Sequence, residues 1–224
     1  MASATSPNNE KIIFVALDIT GMGKVNEHYF SENPKAKRQK AMIITMINGR
    51  PYAFETDSST FSRHEIDRGT RLLIESMRIG PNDDVLDLGC GYGPAGIAAA
   101  TAAANGKIYL SDINQRAVEL ARGNIRRNGI KNAEVRHGSM FEPFNGMRFD
   151  VIITNPPIRA GREVIESFIK GSHSHLKKNG SLYIVVRTKQ GAKTLKRFMH
   201  EIFSNAEYAA MRGGYRVMLA KRLD

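Results

Sequence analysis

Strand-like apolar segments alternate with amphipathic helical segments along residues 64–203 of this 224-residue chain, and the alternation restricts the folds open to it. The strand-like segments cover residues 84–88, 107–111, 133–136, 149–154 and 181–186. Apolar residues three and four positions apart predict helices at 64–79, 94–104, 115–127, 162–177 and 191–203. Gly80-Pro81, Asn128-Gly129 and Asn179-Gly180 are expected to end three of these helices. Such alternation gives right-handed crossovers, so the sequence predicts an α/β fold with a mostly parallel sheet covered by helices on both faces.

Two hairpins are predicted at the ends of this pattern. Asn48-Gly49 separates strand-like segments at 42–47 and 51–56, and Asn-Gly between two such segments is a strong hairpin signal. Arg212-Gly213-Gly214 separates 206–211 from 215–220, so an antiparallel hairpin is expected to complete the sheet. A further strand at 11–18 and an exposed basic segment at 32–40 precede the first hairpin. We therefore expect residues 1–60 to form a small β-rich extension and residues 61–224 to form the main domain.

The charge balance favours a polyanionic partner. Lys and Arg number 33 and Asp and Glu number 22, which gives a formal net charge of +11, and a protein this basic attracts nucleic acid. The single cysteine, Cys90, excludes an intrachain disulfide and fits a reducing compartment. The first ten residues lack the apolar core of a signal peptide, and the apolar runs are too short to cross a membrane. We expect a cytoplasmic protein without a metal site.

A glycine-rich loop follows the first strand of the main domain. It contains Gly89, Gly91 and Gly93, and an acidic residue, Asp112, follows the next strand. This spacing is also found in dinucleotide-binding proteins, so a nicotinamide-dependent enzyme is one alternative. Asp87, however, lies at the strand end, where its carboxylate would repel a pyrophosphate and attract a cation.

S-adenosylmethionine fits this loop better, because it carries an ammonium and a sulfonium but no phosphate. We expect the ammonium near Asp87, and both ribose hydroxyls on Asp112, since a carboxylate can accept two hydrogen bonds. In the loop after the third strand, Ser139 is expected to bind the adenine amino group and Met140 to offer its backbone N–H. The alternative is that both carboxylates merely cap helices.

Asn155-Pro156-Pro157-Ile158 follows the fourth strand and predicts the reaction. Proline fixes φ and excludes the preceding residue from a helix, so the carbonyl of Pro156 is held rigid. Together with the side-chain carbonyl of Asn155 it makes two converging acceptors for the hydrogens of a planar NH2 group. Such a nitrogen is a poor nucleophile, so orientation and electrostatics must supply much of the rate. The alternative is a turn that only ends the strand.

Together these residues resemble class I methyltransferases, and more narrowly the small-subunit ribosomal RNA guanine-N2 methyltransferase family with its stand-alone archaeal members. The resemblance begins near His28, and its more specific segments are Phe61-Ser62, Asp67–Thr70 and 188–193. It implies a Rossmann-like, seven-stranded sheet and methyl transfer from S-adenosylmethionine to a guanine amino group. It also implies that Phe61, Ser62, Thr70 and Ile113 belong to the cofactor site. Ile158 stands where many of these enzymes carry an aromatic residue.

The resemblance and the charge together imply RNA as the substrate. Arg159, Arg162, Lys189 and Arg216 are the expected contacts, and Arg187, Lys193 and Arg212 are further candidates. Three other functions stay open: methylation of adenine or of a protein glutamine side chain, RNA binding without catalysis, and nicotinamide-dependent chemistry. The sequence leaves the oligomeric state and the modified nucleotide open.

Overall fold

The computed structural model describes residues 40–57, 62, 64–156 and 161–224. Several sequence-based predictions lie outside these residues. They are the strand at 11–18, the basic segment up to residue 39, and the site candidates Phe61, Pro157, Ile158 and Arg159.

Within the described residues the chain forms nine strands and five α-helices. The strands are β1 (Ala41–Ile47), β2 (Arg50–Thr56), β3 (Val85–Leu88), β4 (Ile108–Asp112), β5 (Ala133–His137), β6 (Phe149–Thr154), β7 (Leu176–Arg187), β8 (Glu207–Arg212) and β9 (Tyr215–Lys221). The helices are α1 (Arg68–Ser76), α2 (Pro94–Ala102), α3 (Gln115–Arg127), α4 (Arg162–His175) and α5 (Ala192–Phe203). None of these helices combines the length and apolarity needed to cross a membrane.

Seven strands form one sheet in the order β5-β4-β3-β6-β7-β9-β8. The first five strands pair in parallel, and β9 runs antiparallel to both β7 and β8. The chain moves outward from β3 to β5 and then returns to the other side of β3 with β6. Loops therefore diverge between β3 and β6, and open α/β sheets bind ligands at such a point, beyond the carboxyl ends of the strands. The predicted Rossmann-like sheet is confirmed.

Apolar side chains are buried on both faces of the sheet. One core cluster joins α2 and α3 to the sheet and includes Ile97, Leu110 and Val118. The other lies beneath α4 and α5 and includes Ile169 and Met199. Both sheet faces are therefore closed to solvent, as parallel strands require.

The separate hairpin of β1 and β2 packs on α3 through two asparagine side chains. Its turn places Asn48 and Gly49 at positive φ (49° and 76°), as a two-residue hairpin turn demands. Asn124 exchanges two hydrogen bonds with the backbone of Glu55, and Asn128 exchanges two with that of Ala53. Because these asparagines lie one helical turn apart, they pair with β2 much as a neighbouring strand would. The hairpin's inner face joins the α2–α3 core cluster.

The bounds of the first and fourth helices differ from the sequence-based prediction. The first helix begins at Arg68 and ends at Ser76, because Met77 is already extended (φ −67°, ψ 139°). The prediction that Asn179-Gly180 ends the fourth helix is wrong, since α4 ends at His175 and Leu176 already pairs with β6. Gly180 belongs to β7, where an added Cβ would lie within 3.0 Å of three backbone oxygens. Gly180 is therefore required by this close backbone contact, and it does not end a helix.

We predict that Asn124→Ala lowers the free energy of unfolding by about 3 kcal/mol, because it leaves partly buried backbone groups of Glu55 and the buried carbonyl of Tyr92 without this partner. Urea unfolding measures the loss. Arg126→Ala, on the exposed side of α3, is the control and should change stability by less than about 0.5 kcal/mol. Equal effects of the two variants would contradict this account of how the hairpin is attached.

Candidate active site

Parallel pairing brings the predicted polar residues to one edge of the sheet. Asp87 lies near the carboxyl end of β3, Asp112 ends β4, and Asn155 directly follows β6. The hydroxyl of Thr154 donates to the carbonyl of Leu88 (2.8 Å), which ties the ends of β6 and β3 together. The candidate site therefore occupies the divergence point between these two strands.

The glycine loop after β3 exposes its backbone towards this edge. Gly89 and Gly91 have φ of 67° and 58°, a left-handed conformation that favours glycine. Among the described residues, and apart from the chain neighbours of Gly89, no atom lies within 4 Å of where its Cβ would be, so a ligand can approach the backbone there. The N–H of Gly91 donates to Oδ2 of Asp112 (2.8 Å), which fixes the loop against β4.

Two buried carboxyl groups lie beneath this loop. Asp87 is 3% exposed and accepts from the N–H of Gly96 (2.8 Å). Burial raises the pKa of Asp87 to about 7, and the nearby charge of Asp112 adds to the increase. Burial also raises the pKa of Asp112, whose oxygens accept from the N–H groups of Gly91 and Asn114 (both 2.8 Å). Each of these oxygens has a further lone pair, so the pair suits a ligand with a cation and hydroxyl groups, as S-adenosylmethionine has.

Asn155 is held by two side chains at the start of α1. Its Nδ2 donates to Oγ1 of Thr70 (2.9 Å) and to Oδ2 of Asp67 (3.3 Å). Both amide hydrogens are thereby used, and within the described residues no hydrogen bond reaches Oδ1. The orientation leaves the side-chain carbonyl available as an acceptor.

Asp67 is a site residue that sequence reasoning missed. It accepts from the N–H groups of Gly69 and Thr70 and so caps α1. Its other oxygen accepts from the hydroxyl of Tyr215 (3.2 Å), which in turn accepts from Nε of Arg187 (3.1 Å). The sequence offered two signals for Asp67: an aspartate before a helix, which indicates a cap, and its place in the segment Asp67–Thr70 that carries the family resemblance. Neither indicates a partner 88 residues away.

The remaining cofactor candidates lie in neighbouring loops. Asp112 pairs with His137 across β4 and β5, which brings Ile113 beside the loop that holds Ser139 and Met140. His137 Nε2 is 2.9 Å from the carbonyl of Ile113, in keeping with a strand-end role. Ile113 is 40% exposed, and Met140 has a φ of 46°.

Two further candidates can be placed nearby. The hydroxyl of Ser62 donates to the carbonyl of Glu65 (2.6 Å) ahead of α1. Cys90 is buried, and burial raises the pKa of its thiol well above its usual range. A group kept neutral in this way is a packing residue and not a nucleophile.

Basic residues lie at the same edge as Asn155. Lys189 is exposed in the turn that follows β7, and Arg216 lies opposite Val186 at the start of β9. Arg212, at the end of β8, forms an ion pair with Glu75. Arg162 begins α4 and pairs with Glu166 (2.6 Å).

The family model of the methyltransferase small domain matches residues 51–219. "Uncharacterized protein YbxB" of Bacillus subtilis is 37% identical over 201 residues, which are 89% of this chain and 100% of that protein. Ribosomal RNA small subunit methyltransferase C of Enterobacter sp. is 32% identical over 73% of this chain and 47% of that protein. The chain thus spans about half the length of this second relative.

A solved structure of the Thermus thermophilus 16S rRNA N2 G1207 methyltransferase, in complex with AdoMet and guanosine, has the same fold. Its TM-score is 0.74 at 24% identity, over 84% of this chain and 52% of that chain. A ribosomal protein L11 methylase from Lactobacillus delbrueckii matches with a TM-score of 0.60 at 23% identity, over 74% of this chain and 82% of that chain. The chain therefore belongs to the methyltransferase small domain family, and the predicted class I, S-adenosylmethionine-dependent methyltransferase is confirmed.

Proposed function

We propose that this protein transfers a methyl group from S-adenosylmethionine to the exocyclic N2 amino group of guanine in RNA, with small-subunit ribosomal RNA as the substrate. One observation carries the proposal: the amide of Asn155, the residue directly before Pro156, is held with its carbonyl oxygen available. Membership of the methyltransferase small domain family and the similarity to ribosomal RNA small subunit methyltransferase C support it.

Asn155 and Pro156 act as paired acceptors for the target amine. The two hydrogens of the target amine point at the two carbonyl oxygens. This contact localises the nitrogen lone pair and directs it away from the ring. Bound S-adenosylmethionine supplies an electrophilic methyl group on a sulfonium. As the N–CH3 bond forms, the S–CH3 bond breaks and its electron pair stays on sulfur. The nitrogen loses a proton to water afterwards, so no strong base is needed during attack.

The two buried carboxylates hold the cofactor in this proposal. Asp87 attracts the ammonium, and Asp112 accepts from both ribose hydroxyls. Ser139 and the N–H of Met140 contact the adenine. The backbone of Gly89, Gly91 and Gly93 approaches the amino acid tail, while Phe61, Ser62, Thr70 and Ile113 close the site.

The RNA backbone is bound by basic residues at the edge that carries Asn155. Lys189 and Arg216 lie there, and Arg162 begins α4. We include Arg159 from the sequence alone. A net charge of +11 supplies the long-range attraction, and phosphate contacts dominate RNA affinity.

The function is tested with tritiated S-adenosylmethionine and small ribosomal subunits from a strain that lacks the enzyme, followed by nucleoside analysis. We expect label in N2-methylguanosine of the small-subunit RNA. Label in adenosine or in protein would overturn the guanine assignment. Cofactor binding by calorimetry without any transfer to subunits or naked RNA would contradict catalysis on this substrate.

We predict that Asn155→Ala lowers turnover by at least about 100-fold, because one of two oriented acceptors is lost. The dissociation constant of S-adenosylmethionine should stay within about twofold of the wild-type value. Asn145→Ala is the control, since Asn145 is exposed just before β6, at the opposite edge of the sheet. Near-native turnover of Asn155→Ala would exclude the paired-acceptor mechanism.

We predict that Asp87→Asn stabilises the ligand-free protein at pH 8 and weakens cofactor binding. Because the pKa of Asp87 is about 7 when folded and near 3.9 when unfolded, the folded state binds more protons between these values. The contribution of Asp87 to the wild-type free energy of unfolding therefore falls as pH rises from about 4 to about 7. The variant avoids the destabilisation caused by ionising buried Asp87, which is at most about 4 kcal/mol. Its gain in free energy of unfolding over the wild type should therefore shrink from pH 8 to pH 5.

Asp84→Asn is the matched control for this prediction. Burial acts to raise the pKa of Asp84, but the hydrogen bond and charge of Lys177 outweigh it and lower the pKa. This variant should therefore reduce stability at pH 8, as followed by urea unfolding at each pH. An Asp87→Asn protein that is less stable than wild type at pH 8, or that binds the cofactor more tightly, would contradict the assignment.

We predict that Lys189→Ala weakens RNA binding and reduces the slope of log K against log salt by about 1, as the loss of one phosphate contact does. Lys178→Ala is the matched control, because Lys178 is exposed at the opposite end of β7. Binding is measured by fluorescence anisotropy at several salt concentrations. If the two variants lose the same slope, the proposed RNA surface is wrong.

A further inference from the structure

We propose that Asp67 is a positioning residue that fixes the orientation of the Asn155 amide for methyl transfer. This inference rests on the proposed function, because it concerns the acceptor that the reaction uses. It is carried by the contacts that link Asn155 to Asp67 and Thr70, and by the side chains that hold Asp67 in place.

A carboxylate determines which end of a neighbouring amide faces it. An asparagine amide has a donor end and an acceptor end of nearly equal size, so shape alone does not choose between them. An ionised carboxylate only accepts hydrogen bonds. Oδ2 of Asp67 lies 3.3 Å from Nδ2 of Asn155, so the donor end must face Asp67 and the carbonyl end must face away.

Thr70 alone does not impose this choice. Its hydroxyl accepts from Nδ2 of Asn155 at 2.9 Å, but a hydroxyl can also donate. Rotation of the threonine O–H would let it serve the carbonyl end of a flipped amide equally well. The acceptor-only group in the cluster is the carboxylate of Asp67.

Asp67 is itself fixed from two other directions. Oδ2 accepts from the N–H groups of Gly69 (2.9 Å) and Thr70 (3.1 Å) at the positive end of α1. Oδ1 accepts from the hydroxyl of Tyr215 (3.2 Å), and Arg187 donates to that hydroxyl. These contacts leave the carboxylate of Asp67 little freedom to rotate.

Tyr215 packs closely enough on α1 to require the glycine at position 69. A Cβ on Gly69 would lie 2.7 Å from the Tyr215 ring. The guanidinium of Arg187 lies 5.3 Å from the centre of the same ring. The start of α1, the end of β7 and the start of β9 thus form one support for the amide that follows β6.

The first test is Asp67→Ser, compared with Asp67→Asn. Serine caps a helix about as well as aspartate or asparagine, but its short side chain cannot reach Asn155. Asparagine can place its oxygen where Oδ2 lies, because the N–H groups of Gly69 and Thr70 point there and admit only an acceptor. We expect Asp67→Ser to lower kcat by about 10- to 100-fold, the range that a misoriented reacting contact can cost, without changing KM or cofactor affinity. We expect Asp67→Asn to retain most of kcat. Equal loss in the two variants, or an unchanged kcat in Asp67→Ser, would overturn the proposal.

The second test combines Asp67→Ser with Asn155→Ala, using single-turnover transfer of total label into RNA. If Asp67 acts through Asn155, the serine substitution has no further effect once the amide is gone. Losses that multiply would show a separate structural role and overturn the proposal. Total label is scored, so the result holds whichever base is methylated.

A third readout separates this inference from the proposed function. The side-chain NH2 resonances of Asn155, assigned by NMR with the Asn155→Ala protein, report the amide without any activity. We expect them to shift and exchange faster with water in Asp67→Ser, and to resemble the wild type in Asp67→Asn. Unchanged resonances in Asp67→Ser would overturn the positioning role even if guanine methylation is confirmed.

Discussion

The parallel pairing of β3 with both β4 and β6 is the constraint on which the candidate site depends. Because the three strands run in the same direction, the residues that end them emerge at one edge of the sheet. Asp87, Asp112 and Asn155 are far apart in the chain and become neighbours only through this pairing. The hydrogen bond from Thr154 to Leu88 secures it at the point where ligands bind.

The paired strands place two ionisable groups in buried positions, where they contribute little to the stability of the ligand-free protein. Asp87 and Asp112 are buried side by side, and burial raises the pKa of both. In the proposed site, a cationic, hydroxyl-bearing cofactor would supply the hydrogen-bonding partners that the fold does not give these carboxyl groups. Function thus accounts for residues that packing alone would disfavour, which is a common trade between stability and activity.

Local signals were enough to predict most of the fold and part of the site. Asn48-Gly49 predicted the first hairpin and Asn128-Gly129 the end of α3, because each acts on its immediate neighbours. The start of β7 was missed, since Asn179-Gly180 has the composition of a helix end while tertiary pairing makes it part of a strand. Asp67 was missed for a related reason: its partners Asn155 and Tyr215 meet it only through the tertiary structure.

In the proposed mechanism, Asn155 and Pro156 bind the two hydrogens of a guanine amino group. It is tested most directly by a crystal structure with S-adenosylhomocysteine and guanosine, in which the distances from guanine N2 to the Asn155 side-chain oxygen and to the Pro156 carbonyl are measured. We expect both distances to lie in hydrogen-bond range, about 2.7–3.2 Å. A guanine bound at this edge with N2 out of reach of either oxygen would contradict it.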